Sequence, residues 1–298
     1  MTGFALQSLP SSAAEAVQLA ARLGVPAHTI EVHRFPDGEL RVTVAPAAPT
    51  TVVYASLAQP NDKLLALLFA AEALRRAGAR RLVLVAPYLC YMRQDAAFHE
   101  GEAISQKAIG RLLAGSFDRV VTVDAHLHRT ERIEDVFPGI EAADLSAMPA
   151  IADFLRAAGI GPATVVVGPD AESEPWVRDL AGRLGLSAAV ARKTRRGDRS
   201  VEIAFADPTS FKGRPALLVD DIVSSGGTLI ACAKALTAAG ATTIDAVITH
   251  ALFAPELVRT LFEAGIRSLK STDSVPHPTN AIALDGILAD ALRKEMAA

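Results

Sequence analysis

The stretch ALLVDDIVSSGGTL, Ala216 to Leu229, reads as a strand, a loop and the start of a helix. Ala216 to Val219 form a short apolar run of the kind that fills a buried strand. Two carboxylates, Asp220 and Asp221, stand at its end. Ser224, Ser225, Gly226, Gly227 and Thr228 follow, and a helical apolar pattern begins at Leu229. A strand that runs through small residues into a helix can cradle a phosphate. Glycines let backbone N–H groups approach an anion, hydroxyls add donors, and the helix N-terminus adds partial positive charge. The acidic pair does not help bind phosphate but suits sugar hydroxyls or a metal ion, so the segment points to a sugar phosphate. It lacks the Gly-Lys-Ser/Thr of a P-loop and the G-x-G-x-x-G of a dinucleotide fold.

Outward from this segment, strand and helix patterns alternate along the chain. Thr51 to Leu57 is a β-branched apolar run. Asn61 or Asp62 caps a helix with Leu64, Leu65, Leu67, Leu68, Ala71 and Leu74 on one face, ended by Gly78. Arg81 to Ala86 and Val120 to Val123 read as strands. In the second half, Thr164 to Val167 is a strand and Pro175 to Leu184 a helix closed by Gly185. Leu229 to Ala239 is a helix closed by Gly240, and Ile244 to Thr249 a strand. This alternation predicts an α/β fold of parallel sheets covered by helices. The two series predict two similar domains with a border near Glu141 to Pro149.

The chain has 298 residues, half of them hydrophobic and 21% charged, with a formal net charge of -3. That suffices for sizeable cores and about two domains. The slight acidic excess argues against general nucleic-acid or membrane-surface affinity. The N-terminal MTGFALQSLPSS has no basic start or long apolar run of a signal peptide, and no apolar stretch reaches a membrane span. The expectation is a soluble cytoplasmic protein. Its two cysteines allow one disulfide, but Cys90 follows an apolar strand and Cys232 falls in a helical pattern, so the expectation is two buried free thiols.

Polar clusters follow several strands. PYLCYMRQD ends in Arg93, Gln94 and Asp95. VTVDAH brings Asp124 and His126. GPDAESE contains Asp170, Glu172 and Glu174. RKTRRGDR is a basic run with Lys193 and Arg195, and FPDGEL contains Phe35, Asp37 and Glu39. Each has an ordinary explanation when taken alone: Asp37-Gly38 as a hairpin turn, Asp170 as an acid at a helix start, the basic run as a solvated loop. Acidic strand ends nevertheless sit where α/β sheets bind ligands.

Taken in order, FPDGE, Y-x-RQD, VDAH, PD, K-x-R, DDI-loop-GGT, ITHA and STDSV resemble the motif series of the ribose-phosphate pyrophosphokinase (PRPP synthetase) family. The resemblance runs from about Phe35 to Val275. It implies two phosphoribosyltransferase-like domains, each a mainly parallel sheet flanked by helices. Residues 1–145 would form the ATP side and 146–298 the ribose 5-phosphate side, with the last helix packing back on the N-terminal domain. It implies Mg²⁺-dependent transfer of the β,γ-diphosphoryl group of ATP to the 1-hydroxyl of ribose 5-phosphate, giving PRPP and AMP.

Carried onto this sequence, Ser224, Ser225, Gly226, Gly227 and Thr228 hold the 5-phosphate. Asp220 and Asp221 hold the ribose hydroxyls, directly or through metal, and Asp170 faces the ribose and its metal ion. His126 places the Mg-ATP phosphates. Arg93, Gln94 and Asp95 line the ATP site, which Phe35, Asp37 and Glu39 complete from a neighbouring subunit, so a homo-oligomer is implied. Lys193 and Arg195 match the family's mobile catalytic loop. No residue stands out as a general base.

The pattern departs from the family at Ala96-Ala97, at AESE after Asp170, and at Ser224-Ser225, while KTRRGDRSVEI is closer to the shorter archaeal-type members. Two other readings stay open. One is a transferase that consumes PRPP, which needs no ATP site. The other is a non-catalytic regulatory homologue.

Overall fold

The computed structural model describes residues 3–196 and 200–296, with side chains outside 193–202. The chain divides into two compact units, residues 1–146 with 284–298, and residues 147–283.

The first unit opens with β1 (Phe4–Ser8), α1 (Ala13–Leu23) and β2 (Ala27–Thr29). A hairpin follows, β3 (Glu31–Arg34) and β4 (Leu40–Thr43), and then β5 (Thr50–Tyr54), α2 (Asn61–Arg76), β6 (Arg81–Ala86), α3 (Ser105–Ala114), β7 (Arg119–Val123) and β8 (Glu141–Leu145). The sheet order is β2-β1-β5-β6-β7-β8 with every neighbour parallel. β5 and β7 are buried along their whole length. A parallel sheet covered on both faces needs such continuous burial, which is why its central strands read as apolar runs.

The second unit contains α4 (Met148–Ala157), β9 (Val165–Gly168), α5 (Glu174–Leu184), β10 (Ser187–Val190), the hairpin β11 (Arg192–Arg196) and β12 (Ser200–Ala204), and β13 (Ala216–Val223). It continues through α6 (Gly227–Ala238), β14 (Ile244–Ala251), α7 (Leu257–Glu263), β15 (Ser268–Thr272) and β16 (Asn280–Ile282). Its sheet, β10-β9-β13-β14-β15-β16, is again all parallel. The two sheets thus share one strand order. In each, the chain steps outward by one strand and then returns across the first, leaving a switch point between β1 and β5 and another between β9 and β13. The final helix, α8 (Asp285–Met296), belongs to the first unit and packs on α1.

Several boundaries differ from the sequence reading. β13 runs on to Val223 instead of stopping at Val219, because Asp220, Ile222 and Val223 pair with Ile248, His250 and Ala251 of β14. α6 starts two residues early, at Gly227. Pro60, not Asn61 or Asp62, precedes α2, and no side chain caps it. Asn61 instead accepts a hydrogen bond from the Tyr91 hydroxyl (2.5 Å), and Asp62 pairs with Arg34. Leu65, assigned to the core face, is 48% exposed, while Ala66 and Ala70 are buried in its stead. Cys90 and Cys232 are free and buried, and burial pushes both thiols up to about 12. Among the described residues no helix is long and apolar enough to cross a membrane.

Candidate active site

At the switch point of the second unit, β9 ends in Gly168 and turns at once through Asp170. A Cβ on Gly168 would lie 2.2 Å from Ser173 Oγ, so only glycine lets the strand end meet the turn. Ser173 donates to the Asp170 carbonyl (2.6 Å), and the Asp170 carboxylate accepts from the Glu172 N–H (3.2 Å). Asp170 therefore caps the short turn Ala171–Ser173.

Asp220 and Asp221 lie within β13, where successive side chains point to opposite faces. Asp221 is buried; Asp220 is only partly so. Burial, then the charges of Asp221 and Asp170, push the Asp220 carboxyl well above the usual carboxylate range. The two acids point to opposite faces of the strand yet repel each other through it, and Asp220 also feels the charge of Asp170.

Beyond Val223 the loop opens. Ser224, Ser225 and Gly227 are exposed, Thr228 half-buried. Gly226 is left-handed (φ 72°) and forms the N-cap of α6, with no side chain capping the helix. A Cβ there would come within 2.7 Å of Leu257 Cδ2. The first N–H groups of a helix have no intrahelical partner, so α6 presents donors and partial positive charge at this loop, next to carboxylates that favour hydroxyls or a cation.

In the first unit the switch point is closed by side chains. Ser12 Oγ accepts from the Ser56 N–H (3.0 Å), and Lys63 Nζ donates to the Ser56 carbonyl (2.8 Å). The candidate residues lie farther along, after β6 and β7. Arg93 is exposed, and Gln94 and His126 are half-buried. The Asp95 carboxylate is buried and takes both the N–H (2.9 Å) and the guanidinium (2.8 Å) of Arg129. Burial opposes its ionisation, but those bonds outweigh burial and hold its carboxyl below the ordinary value. Gln106, buried at the start of α3, accepts from the Thr130 hydroxyl (2.8 Å) and donates to the Met92 carbonyl (3.4 Å). The loops after β6 and β7 are therefore laced together. Neither Arg129 nor Gln106 was legible in the sequence as part of this linkage, since no motif or periodicity marks either.

Gln59, Tyr91 and Asp124, which follow β5, β6 and β7, are the described non-glycine residues with positive φ (52°, 63° and 41°). Such conformations cost on the order of 1–3 kcal/mol each and gather at functional sites. All three lie at the carboxyl edge of the first sheet, the edge where α/β sheets commonly take ligands.

Phe35, Asp37 and Glu39 form the tip of the β3–β4 hairpin and are all exposed. Asp37 accepts from the Glu39 N–H (3.1 Å), and the Phe35 N–H donates to the Glu39 carbonyl (2.8 Å). The hairpin turn expected at Asp37-Gly38 is present, and it displays an aromatic ring and two acids. Lys193 and Arg195 pair in backbone register with Ile203 and Val201 of β12; their side chains lie outside the described residues. ITHA and STDSV meet at a buried edge: Ser274 bonds His250 Nδ1 (2.8 Å) and the Thr249 carbonyl (2.8 Å), and Thr272 donates to that same carbonyl (2.6 Å). These residues brace the sheet edge.

An open loop ahead of a helix start at a parallel-sheet switch point, on a fold repeated twice, defines the phosphoribosyltransferase-like class of α/β protein. Residues 4–116 match the model for the N-terminal domain of ribose phosphate pyrophosphokinase, and residues 148–259 the phosphoribosyl transferase domain. The chain is 33% identical over 277 residues to the ribose-phosphate pyrophosphokinase of Methanopyrus kandleri, covering 92% of this chain and 94% of the relative. It is 33% identical over 281 residues to ribose-phosphate pyrophosphokinase 2 of Archaeoglobus fulgidus, covering 94% and 97%. The crystal structure of phosphoribosylpyrophosphate synthetase from Mycobacterium smegmatis superposes with a TM-score of 0.86 at 25% identity, covering 99% of both chains. The chain belongs to the ribose-phosphate pyrophosphokinase family, and its activity is that of a diphosphotransferase.

Proposed function

We propose that this chain joins ATP and ribose 5-phosphate to give 5-phosphoribosyl 1-pyrophosphate and AMP, with its own residues in the following roles. One observation carries the reading: the open loop before the uncapped N-terminus of α6 stands at the switch point with Asp170 and Asp220. The loop Ser224–Thr228 receives the 5-phosphate on backbone N–H groups and hydroxyls. Asp220, with Asp221 beneath it in the strand, takes the ribose hydroxyls.

In the first unit Arg93, Gln94 and His126 receive ATP, and Asp95 holds the surrounding loop. Phe35, Asp37 and Glu39 reach the nucleotide of a neighbouring copy, which makes the working protein a homo-oligomer. The reading places it in the cytoplasm.

The sugar 1-hydroxyl oxygen bonds to the β phosphorus. The bond from that phosphorus to the oxygen bridging the α-phosphate breaks, AMP leaves with the electron pair, and the hydroxyl proton passes to water. Negative charge grows on the departing oxygen. Catalysis of such transfers is mostly positioning and electrostatic stabilisation, and Lys193 and Arg195 supply the cations.

A divalent ion fits the residues present. The upward shift at Asp220 comes from burial and from neighbouring carboxylates, a penalty that a cation removes. Among the described residues no group of three or more His, Cys, Asp or Glu is arranged to hold a metal. Mg²⁺, however, commonly takes one or two carboxylates and fills its shell with water and substrate oxygens. In the second unit Asp170 would hold such an ion beside the ribose, and in the first unit His126 would hold one beside the ATP phosphates. When bound it neutralises phosphate charge and lowers the pKa of the sugar hydroxyl.

The test is to incubate the pure protein with Mg-ATP and ribose 5-phosphate and measure AMP and PRPP together. Equal amounts of both are expected. Lys193→Ala and Arg195→Ala should each lower kcat on the order of 10²–10³-fold with little change in KM, and a double variant with full turnover would remove them from the mechanism. Absence of AMP under every nucleotide and phosphate condition would favour a regulatory homologue. Consumption of PRPP with a base would favour a transferase.

A further inference from the structure

Phe98 lies in the loop after β6 and is 55% exposed, outside the core cluster of its unit. Exposure of one phenylalanine needs no explanation, but this one is held at two points. Its N–H donates to Glu102 Oε2 (2.8 Å), which closes the loop beneath it. The Arg129 guanidinium carbon stands 5.3 Å from the ring centroid, a cation–π distance. Arg129 is itself fixed from below, because the 1%-exposed Asp95 carboxylate takes both its N–H and its guanidinium. A buried charge thus orders a half-exposed cation, and that cation orders a solvent-facing ring.

We infer that the Phe98 ring, backed by Arg129, is the surface on which the purine of the nucleotide stacks, with Asp95 as its positioning residue. The inference rests on the placement of ATP in the first unit. The chemistry agrees with the geometry. An aromatic face accepts any base, because every base has a π-face, and such stacking is sequence-tolerant. An ordered ring also loses less freedom on binding than a mobile one. Phe98 therefore supplies affinity for the base, and it leaves the choice among purines to other groups.

The experiment compares wild type with Phe98→Ala, Phe98→Leu, Phe98→Trp and Arg129→Ala. It reads steady-state kinetics and, separately, equilibrium binding of ATP by calorimetry. KM for ATP should rise on the order of tenfold in Phe98→Ala and Phe98→Leu, with kcat and KM for ribose 5-phosphate within twofold of wild type. Phe98→Trp should restore the wild-type value, since leucine keeps the apolar bulk but not the π-face. Arg129→Ala should move the same constant in the same direction, and combining it with Phe98→Ala should add little. Asp95→Asn should behave as a weaker Arg129→Ala.

Thermal melting that matches wild type shows that Phe98→Ala is folded. An unchanged KM and Kd for ATP in folded Phe98→Ala would overturn the inference. So would a wild type that binds no ATP. A wild type that binds ATP without turning over, and loses affinity in Phe98→Ala, would sink the proposed reaction and leave the stacking surface standing.

Discussion

Gly226 sets the loop of the second unit in one backbone conformation. At φ 72° it turns the loop so that α6 begins without a side-chain cap, and Leu257 fills the space where a Cβ would go. Gly226→Ala should lower stability by ~1–2 kcal/mol from the left-handed conformation alone and raise KM for ribose 5-phosphate more than KM for ATP. Denaturant unfolding and steady-state kinetics check both parts. This residue was legible in the sequence because small residues between a strand and a helix have few structural explanations. Asp95 was legible only as a member of a motif. Its commitment to Arg129 depends on bringing together two loops 34 positions apart, which no local pattern encodes.

The C-terminal helix is an element fixed by charge as well as by apolar packing. Glu295 on α8 is 3% exposed and bonds Arg81 Nε (2.5 Å) and Arg119 Nη1 (2.7 Å), at the starts of β6 and β7. Removing one member of a buried ion pair leaves the other charge unpaired and costs about 3–5 kcal/mol, so Glu295→Ala should unfold at markedly lower denaturant. Burial opposes ionisation of Glu295, but the two arginines outweigh it, and its folded value lies below the ordinary 4.5. The stabilisation is therefore complete above about pH 4.5 and is lost as pH falls through the lower folded value. Acid unfolding curves of wild type and Glu295→Gln should converge below that window and separate above it. Interior strands such as β6 and β13 announced themselves as apolar runs. Short edge strands such as β2 and β16 did not, because three residues carry no periodicity. β13 outran its apolar run because pairing with β14 carries Asp220 and Ile222 into the sheet.

Across the whole molecule, one sheet topology occurs twice and serves two purposes. In the second unit the switch point is open and lined by carboxylates and an uncapped helix. In the first it is closed by Ser12, Ser56 and Lys63, and the polar residues move outward to the edges of β6 and β7. The alternation of strands and helices made the doubled α/β plan legible, and the order of the motifs made the family legible. The difference between the two switch points was not, because it lies in hydrogen bonds between distant segments.

The central claim is that the two units serve a single transfer of a diphosphoryl group. ATP labelled with ³²P at the β position, incubated with ribose 5-phosphate and Mg²⁺, tests it most directly. The account predicts that the β label passes into the phosphoribosyl product and that an α label remains in AMP. Label retained in ADP, or none transferred to the sugar, would contradict it.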